Sequence, residues 1–294
     1  MHSLALTAGA DRITAIANVG DDLEFLGLYV SPDLDTVLYT IAGLLDEERG
    51  WGVRDETYGA LTQAGRFGED TWFTLGDRDV GLHLARTRRL RAGEPLSVVT
   101  AQLCSALGVA VRLLPATDHP VRTFVQLDDG ELDFQTWYVG RRHADPVRAV
   151  RFEGADAARP APGVVEALEQ ARAVVIAPSN PFVSIGPILA VPGIRGAIEA
   201  CAGPVAAMSP VIGGQAVRGP LAGMLETLGH EVSALGVARI YTGLVDTFVL
   251  DVVDAALATE VGQLGLRPVV CETLMENPAV RPEIGLQVLE ALLG

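Results

Sequence analysis

Short apolar runs alternate along the chain with segments whose apolar residues have helical spacing. The run at 12–17 predicts a strand, and the spacing over 33–45 predicts a helix. Further helices are predicted near 77–90, 95–107, 163–172, 193–201, 220–228 and 281–293, and further strands near 110–114, 173–177, 204–208, 231–238, 246–250 and 267–271. This alternation is typical of an α/β fold with a doubly wound, mostly parallel, Rossmann-like sheet.

One stretch interrupts the alternation. The segments VRTFVQL and ELDFQTWYV, within 121–139, flank Asp128-Asp129-Gly130, which is a strong signal for an antiparallel hairpin. We therefore predict a single α/β domain over 1–294 that carries a small β-hairpin/α insert subdomain at about 110–150.

Composition and charge narrow the class of protein. Hydrophobic residues make up 49% of the chain, yet no run approaches the roughly 20 apolar residues of a membrane helix, and the first residues do not resemble a signal peptide. The net charge of −15 argues against a nucleic-acid partner. The three cysteines and five histidines are scattered and predict no zinc site. We expect a soluble, cytoplasmic protein that contacts neither membrane nor nucleic acid.

An acidic loop follows the first predicted strand. Asn18–Asp22 and Ser31–Thr36 place four aspartates within 15 residues, ending at a predicted helix start. In one interpretation Ser31 or Asp33 caps the helix and the other acids are solvated. In the other, the carboxylates bind a hard metal ion or substrate hydroxyls, as magnesium sites with one or two carboxylates do.

Basic residues offer a second set of candidates. In Leu75–Asp79, Arg78 could clamp a phosphate with its guanidinium, or Asp77 could cap a helix with Arg78 at the surface. His83 is interpreted as a structural or flanking residue, with a general base as the alternative. The runs at 86–91 and 141–143 are interpreted as solvated faces, with the border of an anionic site as the alternative.

Two rigid polar loops follow apolar strands. Ser179–Pro187 and Ser209–Gly214 combine hydroxyls, prolines and glycines, which suits phosphate binding but also ordinary turns. Phe182 is either a stacking surface for a flat ring or part of the core. Together with the acidic loop, these segments predict a composite pocket for a phosphorylated ligand. Because the sequence has no nucleophile elbow or Walker-type loop, we expect catalysis by positioning and a metal ion.

Six segments carry more information together than any one alone: NVGDD at 18–22, PDLDT at 32–36, Trp51-Gly52, LGDRD at 75–79, SNPFVSIGP at 179–187 and SPVIGG at 209–214. Their order and separations resemble the 2-phospho-L-lactate transferase family of coenzyme F420 biosynthesis, from about Ile13 to the C-terminus. The resemblance implies Mg²⁺-dependent transfer of a phosphorylated three-carbon acid (phospholactyl or enolpyruvyl phosphate). The donor is a guanosine diphosphate-linked acid, the acceptor is the ribityl hydroxyl of 7,8-didemethyl-8-hydroxy-5-deazariboflavin, and GMP is released.

The resemblance also implies roles for individual residues. Asp35 and Arg78 match the family's deazaflavin-binding aspartate and basic residue and are the expected catalytic residues, and Asp33 with Asp35 is expected to hold the metal. The residues expected to line the pocket for the deazaflavin and the phosphate are Ser179, Asn180, Phe182 and Ser184, and those expected to border the guanosine nucleotide are Ser209 and Gly213. We expect Asp35→Ala to abolish transfer without unfolding the protein, and we expect a homodimer.

The sequence departs from the family at one place. Family members usually begin with a strand and a glycine-rich GG-x-GG phosphate loop, whereas this chain has MHSLALTAGADR before its first predicted strand. We therefore expect this loop to be lacking. Two other functions stay open: a regulatory nucleotide-sugar-binding protein of the gluconeogenesis-factor type, and an inactive subunit of an oligomer.

Overall fold

The computed structural model describes residues 2–217, 219–274 and 281–294. The α-helices are α1 (His2–Ala8), α2 (Pro32–Ile41), α3 (Gly59–Arg66), α4 (Asp77–Arg91), α5 (Leu96–Ala106), α6 (Val164–Glu169), α7 (Gly186–Ala190), α8 (Ile194–Glu199), α9 (Leu221–Thr227), α10 (Ala234–Tyr241), α11 (Ala258–Gln263) and α12 (Arg281–Leu293). The strands are β1 (Thr14–Ala17), β2 (Leu23–Phe25), β3 (Leu28–Val30), β4 (Arg112–Pro115), β5 (Arg122–Leu127), β6 (Gly130–Asp133), β7 (Ala149–Glu153), β8 (Val174–Ile176), β9 (Val205–Met208), β10 (Val211–Ile212), β11 (Gln215–Ala216), β12 (Thr247–Asp251) and β13 (Arg267–Cys271).

The central sheet is parallel and has the strand order β13-β12-β9-β8. Its two faces are both covered, as the side chains of β9 demonstrate. Val205 and Ala207 belong to the main apolar core with helices such as α8, whereas Ala206 and Met208 pack with Val288 of α12. A strand that is buried on both faces has a continuous run of apolar residues in its sequence. This explains why the strands of this sheet could be predicted from the sequence. The mixed α/β fold with parallel strands is confirmed.

A second parallel pair extends the same core. β1 pairs with β4 in register from Thr14 opposite Arg112 to Ala17 opposite Pro115. Ala15 and Ala17 of β1 lie in the main core cluster that also contains the residues of β9. The carboxyl ends of β1, β8 and β9 all lead into polar loops, and such ends are where open α/β sheets bind ligands.

The predicted insert is an antiparallel sheet of order β6-β5-β7. The hairpin across Asp128 and Asp129 is confirmed, but the second predicted strand stops early. The Asp133 carboxylate accepts hydrogen bonds from the backbone of Gln135 (3.0 Å) and Thr136 (3.4 Å), and Thr136–Gly140 forms a π-helical turn. Side-chain capping of this kind competes with the strand ladder.

The strand predicted near 231–238 is wrong, because Ala234–Tyr241 is helix α10. The Ser233 hydroxyl caps it by accepting a hydrogen bond from the Gly236 amide at 3.0 Å. Most of the helix is buried, so its apolar run lacks the polar face that reveals a helix in a sequence.

The loop predicted at 178–187 is also partly helical. The Asn180 side chain accepts hydrogen bonds from the amides of Phe182 (2.9 Å) and Val183 (3.4 Å), and a π-helical turn over Pro181–Ile185 leads into α7. Pro181 and Pro187 stand in the first turns of these two helices, where a missing N–H leaves no hydrogen bond unmade. Two of the prolines that predicted a non-helical path therefore stand at the start of helical turns.

Other differences are local. Helix α2 ends at Ile41, and Gly43 has a positive φ of 68°. The loop before α2 contains the hairpin β2–β3, which turns at Leu26 and Gly27 with φ of 49° and 74°. Residues before β1 form α1, which packs against α12. In the described part of the chain, no helix combines the length and the apolar character that a membrane crossing requires.

Candidate functional site

A cavity of about 550 Å³ opens beside the carboxyl ends of β1, β8 and β9. The residues that line it come from separate stretches of the chain, within 21–39, 49–52, 73–83, 134–139, 178–184 and 210–221. Its volume is that of a site for a small ligand. Four aspartates line it, and the buried Asp22 lies close to them. These five fall into three groups by their partners.

The first group is a pair of carboxylates bridged by an amide. The buried Asn18 side chain donates from Nδ2 to Asp21, to Asp33 (3.0 Å to Oδ2) and to the Val183 carbonyl (3.3 Å). Burial raises the pKa of Asp21 well above its usual range, and the charges of Asp33 and Asp22 add to the shift. Burial also raises the pKa of Asp33. Two ionised carboxylates here lack a compensating charge.

The backbone before this pair is shaped by Gly20. Its amide donates to Asn18 Oδ1 at 2.6 Å, and a Cβ at this position would lie 2.5 Å from Thr123 Oγ1 and 2.8 Å from Pro187 Cβ. Any other residue would push these neighbours apart. The NVGDD segment is thus a tight turn that aims its first aspartate into the cavity.

The second group is an ion pair. Asp35, 5% exposed, accepts hydrogen bonds on both oxygens from the Arg86 guanidinium, with Nη1 2.9 Å from Oδ2. His83 Nδ1 lies 3.7 Å from the same Oδ2. The run at 86–91, interpreted from sequence as a solvated face, therefore begins with a buried residue, since Arg86 is 1% exposed.

The third group consists of two buried aspartates that accept hydrogen bonds from hydroxyl groups. Asp22 accepts hydrogen bonds at 2.9 Å from both the Tyr29 and the Ser31 hydroxyls, and burial raises its pKa to about 8. Asp79 accepts one from the Tyr39 hydroxyl at 2.7 Å, and burial raises its pKa to about 6. The hydrogen bonds from these hydroxyls stabilise the ionised carboxylates and so partly oppose the effect of burial on the pKa.

The donor set fits a magnesium ion bound partly by substrate. No group of three or more His, Cys, Asp or Glu side chains suited to a metal ion occurs within 2–217, 219–274 and 281–294. Magnesium commonly takes one or two carboxylates and completes its shell with phosphate oxygens and water. Asp21 and Asp33 form no ion pair with any described cation, whereas Asp35 is already occupied by Arg86. The residues that fit the ion are thus Asp21 and Asp33.

An aromatic surface lies beside these aspartates. Phe134 and Tyr138 both line the cavity, and their rings stack with centroids 5.3 Å apart at 8°. His143 also stacks on Tyr138, with ring centroids 5.1 Å apart at 23°. The three rings thus pack on one another, and Phe134 and Tyr138 give this side of the cavity an aromatic, apolar surface that a substrate ring can contact.

The structure brings some of the predicted site residues together. Asp33, Asp35, Ser179, Asn180 and Ser184 line the cavity.

The remaining predicted residues are absent from the described cavity lining. Phe182 packs against His230 at 5.4 Å, and Arg78 donates to the Arg54 carbonyl at 2.7 Å. The Ser209 hydroxyl donates a hydrogen bond to the Val211 carbonyl at 2.7 Å, and the Gly213 amide donates one to the Asp254 carboxylate at 3.0 Å. Their assignment to substrate binding stays a prediction.

Several candidate residues escaped the sequence analysis. Asp21 stood in a segment already singled out, but nothing distinguished it from Asp22. Arg49 lines the cavity close to Trp51-Gly52, one of the six segments that carry the family resemblance, but the segment did not include this arginine. Arg86 was hidden in a basic run, and its pairing with Asp35 spans 51 positions.

His83 provides a test of the buried network by pH. Burial lowers its pKa to about 4, against about 6.5 in an unfolded chain. The unfolded state therefore binds the proton first as pH falls, and the native state loses about 3 kcal/mol between pH 7 and pH 4. Urea unfolding of wild type and His83→Gln should show this pH-dependent difference, and His119→Gln, at an exposed residue, is the control. Parallel stability curves for wild type and His83→Gln would contradict a buried neutral imidazole.

A parallel sheet whose strand ends border a cavity lined by acidic and aromatic side chains defines an α/β protein with a site for a small molecule. The chain belongs to the 2-phospho-L-lactate transferase CofD family, whose model matches residues 2–283. It is thus a transferase of the family that serves coenzyme F420 biosynthesis.

Individual relatives agree with this assignment. The chain is 44% identical over 296 residues to the phosphoenolpyruvate transferase of Streptomyces griseus, with 99% of this chain and 93% of the relative covered. It is 42% identical to that of Mycobacterium avium, with coverage of 96% and 86%. Among solved structures, a UPF0052 family member from Bacillus halodurans superposes with a TM-score of 0.65 at 19% identity, covering 100% of this chain and 96% of that one. This last likeness concerns the fold alone.

Proposed function

We propose that the chain transfers a phosphorylated three-carbon acid from a guanosine diphosphate-linked donor to the ribityl hydroxyl of 7,8-didemethyl-8-hydroxy-5-deazariboflavin. The new bond joins the ribityl oxygen to the phosphorus that bears the acid. The bond from that phosphorus to the bridging oxygen breaks, GMP leaves with this oxygen, and the hydroxyl proton is released. The product is a phosphodiester.

One observation carries this proposal: a single cavity holds buried, uncompensated carboxylates and, beside them, an apolar surface of aromatic side chains. Asp21 and Asp33 suit a cation that meets phosphate oxygens, and Phe134 with Tyr138 suits a planar ring. A deazaflavin carries such a ring on a polyhydroxylated chain. Ser179 and Ser184, also in the lining, offer hydroxyls to that chain.

The protein's own groups have separable tasks in this reaction. Asp35 accepts a hydrogen bond from the attacking hydroxyl and orients it. Asp21 and Asp33 would hold magnesium, which when bound supplies positive charge to the phosphate oxygens. Asn18 fixes the spacing of these two carboxylates through its amide. The resulting catalysis depends on positioning and electrostatics, as in other phosphoryl transfers.

Arg49 is suited to the anionic donor. The sequence contains 22 basic residues, all of them arginine, and Arg49 is the one arginine among the described lining residues. Its guanidinium stands 5.7 Å from the Trp51 ring and 5.4 Å from the Tyr58 ring, and Asp46 lies 3.5 Å away. These contacts preorganise a half-exposed cation at the cavity for a diphosphate.

Substitution of Arg49 tests this assignment. Arg49→Gln should raise the KM for the nucleotide donor about 10- to 100-fold, the effect of one charge-assisted hydrogen bond, while kcat stays within about threefold. Steady-state kinetics with the donor varied at saturating deazaflavin measures this, with Arg66→Gln at an exposed site as control. An unchanged donor KM would place the diphosphate elsewhere.

The names of the relatives indicate which acid is transferred. Relatives of 42% and 44% identity that extend over nearly the whole chain are named phosphoenolpyruvate transferases. We therefore propose enolpyruvyl phosphate as the transferred group, in preference to phospholactate.

A direct assay tests the proposal as a whole. Purified protein is incubated with the deazaflavin alcohol, magnesium and the phosphoenolpyruvyl or phospholactyl guanosine diphosphate, and GMP and the phosphodiester are followed by chromatography and mass spectrometry. We expect GMP in equal amount to the enolpyruvyl product. Retention of a uridine diphosphate sugar with no deazaflavin binding and no GMP would favour the regulatory alternative.

A further inference from the structure

Arg86 lies behind the cavity rather than in it. The residue belongs to α4, its side chain is 1% exposed, and it is absent from the described lining. Its two terminal nitrogens take both oxygens of Asp35, which does line the cavity. Any effect of Arg86 on substrate must therefore pass through another side chain.

The contact fixes the carboxylate in more than one respect. A guanidinium that holds both oxygens sets the plane of the carboxylate as well as its distance. Each oxygen of Asp35 keeps a second lone pair for a further donor. Arg86 itself is fixed, because Nη1 also lies 3.3 Å from His83 Nδ1 and the surrounding chain excludes water. Asp35 thus presents its remaining acceptor sites in one orientation.

The neighbouring aspartates differ from Asp35 in their hydrogen-bond and ion-pair partners. Asp21 and Asp33, in the same cavity, have no described cationic partner and are bridged only by the Asn18 amide. Asp22 is buried near Arg86, yet its hydrogen bonds go to Tyr29 and Ser31. Arg86 is the one arginine that is buried among the residues whose burial is described, and it is committed to Asp35. The cluster is divided into carboxylates left for a cation and one carboxylate already oriented by the protein.

We propose that Arg86 is a positioning residue that acts through Asp35, holding this carboxylate in the orientation that accepts the hydrogen bond of the acceptor's hydroxyl. The inference rests on the proposed transfer to a deazaflavin alcohol. It assigns to Arg86 no contact with either substrate. Loss of the two-point contact lowers kcat, while binding of the donor is unaffected.

Lysine is the informative replacement. Arg86→Lys keeps the positive charge that Asp35 requires in a buried site, so that loss of the fold does not confound the result. An ammonium group binds as a point charge and cannot hold both oxygens in a plane. Arg91→Lys is the matched control, because Arg91 lies on the same helix with a solvent-exposed side chain that pairs with Glu24 at 3.1 Å.

The experiment compares wild type, Arg86→Lys, Arg91→Lys, Asp35→Asn and the double variant Arg86→Met/Asp35→Asn. Melting temperature is measured alongside kcat and both KM values. We expect Arg86→Lys to melt within a few degrees of wild type with kcat about 100-fold lower and an unchanged donor KM. The double variant should have the kcat of Asp35→Asn alone, because Arg86 has no other route to the reaction.

Wild-type kcat in Arg86→Lys would overturn the positioning role, as would a double variant far less active than Asp35→Asn. Either result leaves the proposed function standing, since wild type still turns over. Absence of turnover in the wild-type protein would instead overturn the proposed function and this inference with it.

Discussion

Asp35→Ala is expected to abolish transfer and also to lower the free energy of unfolding by about 3–5 kcal/mol. The substitution removes the hydrogen-bond acceptor for the attacking hydroxyl, and it leaves Arg86, 1% exposed, as a buried charge without its partner. From sequence we expected the fold to be unaffected. The ion pair that changes this expectation joins α2 to α4 and was not visible in the sequence.

Asp35→Asn separates the two effects. It retains one acceptor and the shape of the side chain, so it should melt closer to wild type than Asp35→Ala while remaining at least about 100-fold less active. Urea unfolding and turnover measured on the same preparations test this, with Asp128→Ala, at an exposed surface pair with Arg148, as control. Turnover near the wild-type level in folded Asp35→Asn would remove Asp35 from the reaction.

Asp21→Asn and Asp33→Asn should act in the opposite direction on stability. Each removes a buried carboxylate whose pKa is raised by burial, so each should raise the melting temperature of the metal-free protein. An acid with a raised pKa in the folded state destabilises it increasingly as pH rises above the unfolded value of about 3.9. The gain in stability should therefore be largest at neutral and alkaline pH and vanish near pH 3.

The same two variants should lose catalysis. With one magnesium ligand replaced by a neutral amide, turnover should fall at least about 100-fold and require more magnesium for half-saturation. Magnesium titrations of activity, and of melting temperature in the presence of donor, measure both effects. Asp128→Asn serves as the exposed control. Full activity with an unchanged magnesium requirement in both variants would place the ion elsewhere.

The periodic parts of the fold were predictable. Strands β1, β9, β12 and β13 and helices α4 and α5 lie near the positions that their apolar patterns indicated, because both periods follow from which faces are buried. The prediction was wrong at helix α10, because a pattern of buried faces is readable only where another face is exposed. The helix is buried almost all round, and its sequence has no polar face to reveal the period.

The candidate site was predictable as a set of segments but not as a set of partners. The acidic loop and the loop after β8 meet at the cavity, as strand-end loops of a parallel sheet do. Which acid pairs with which cation depends on how α4 packs beside α2, and nothing in the sequence near Asp35 indicates Arg86. Arg49 escaped because an arginine beside a tryptophan is usual at ordinary surfaces as well.

The bridged carboxylates Asp21 and Asp33, with Asp22 beside them, have a consequence for protein engineering. Libraries screened for heat resistance alone, without substrate or magnesium, should enrich neutral replacements at these three positions, because such replacements relieve buried charge. Those at the two bridged positions would inactivate the enzyme. A useful screen would therefore either fix these residues or impose turnover as a second selection.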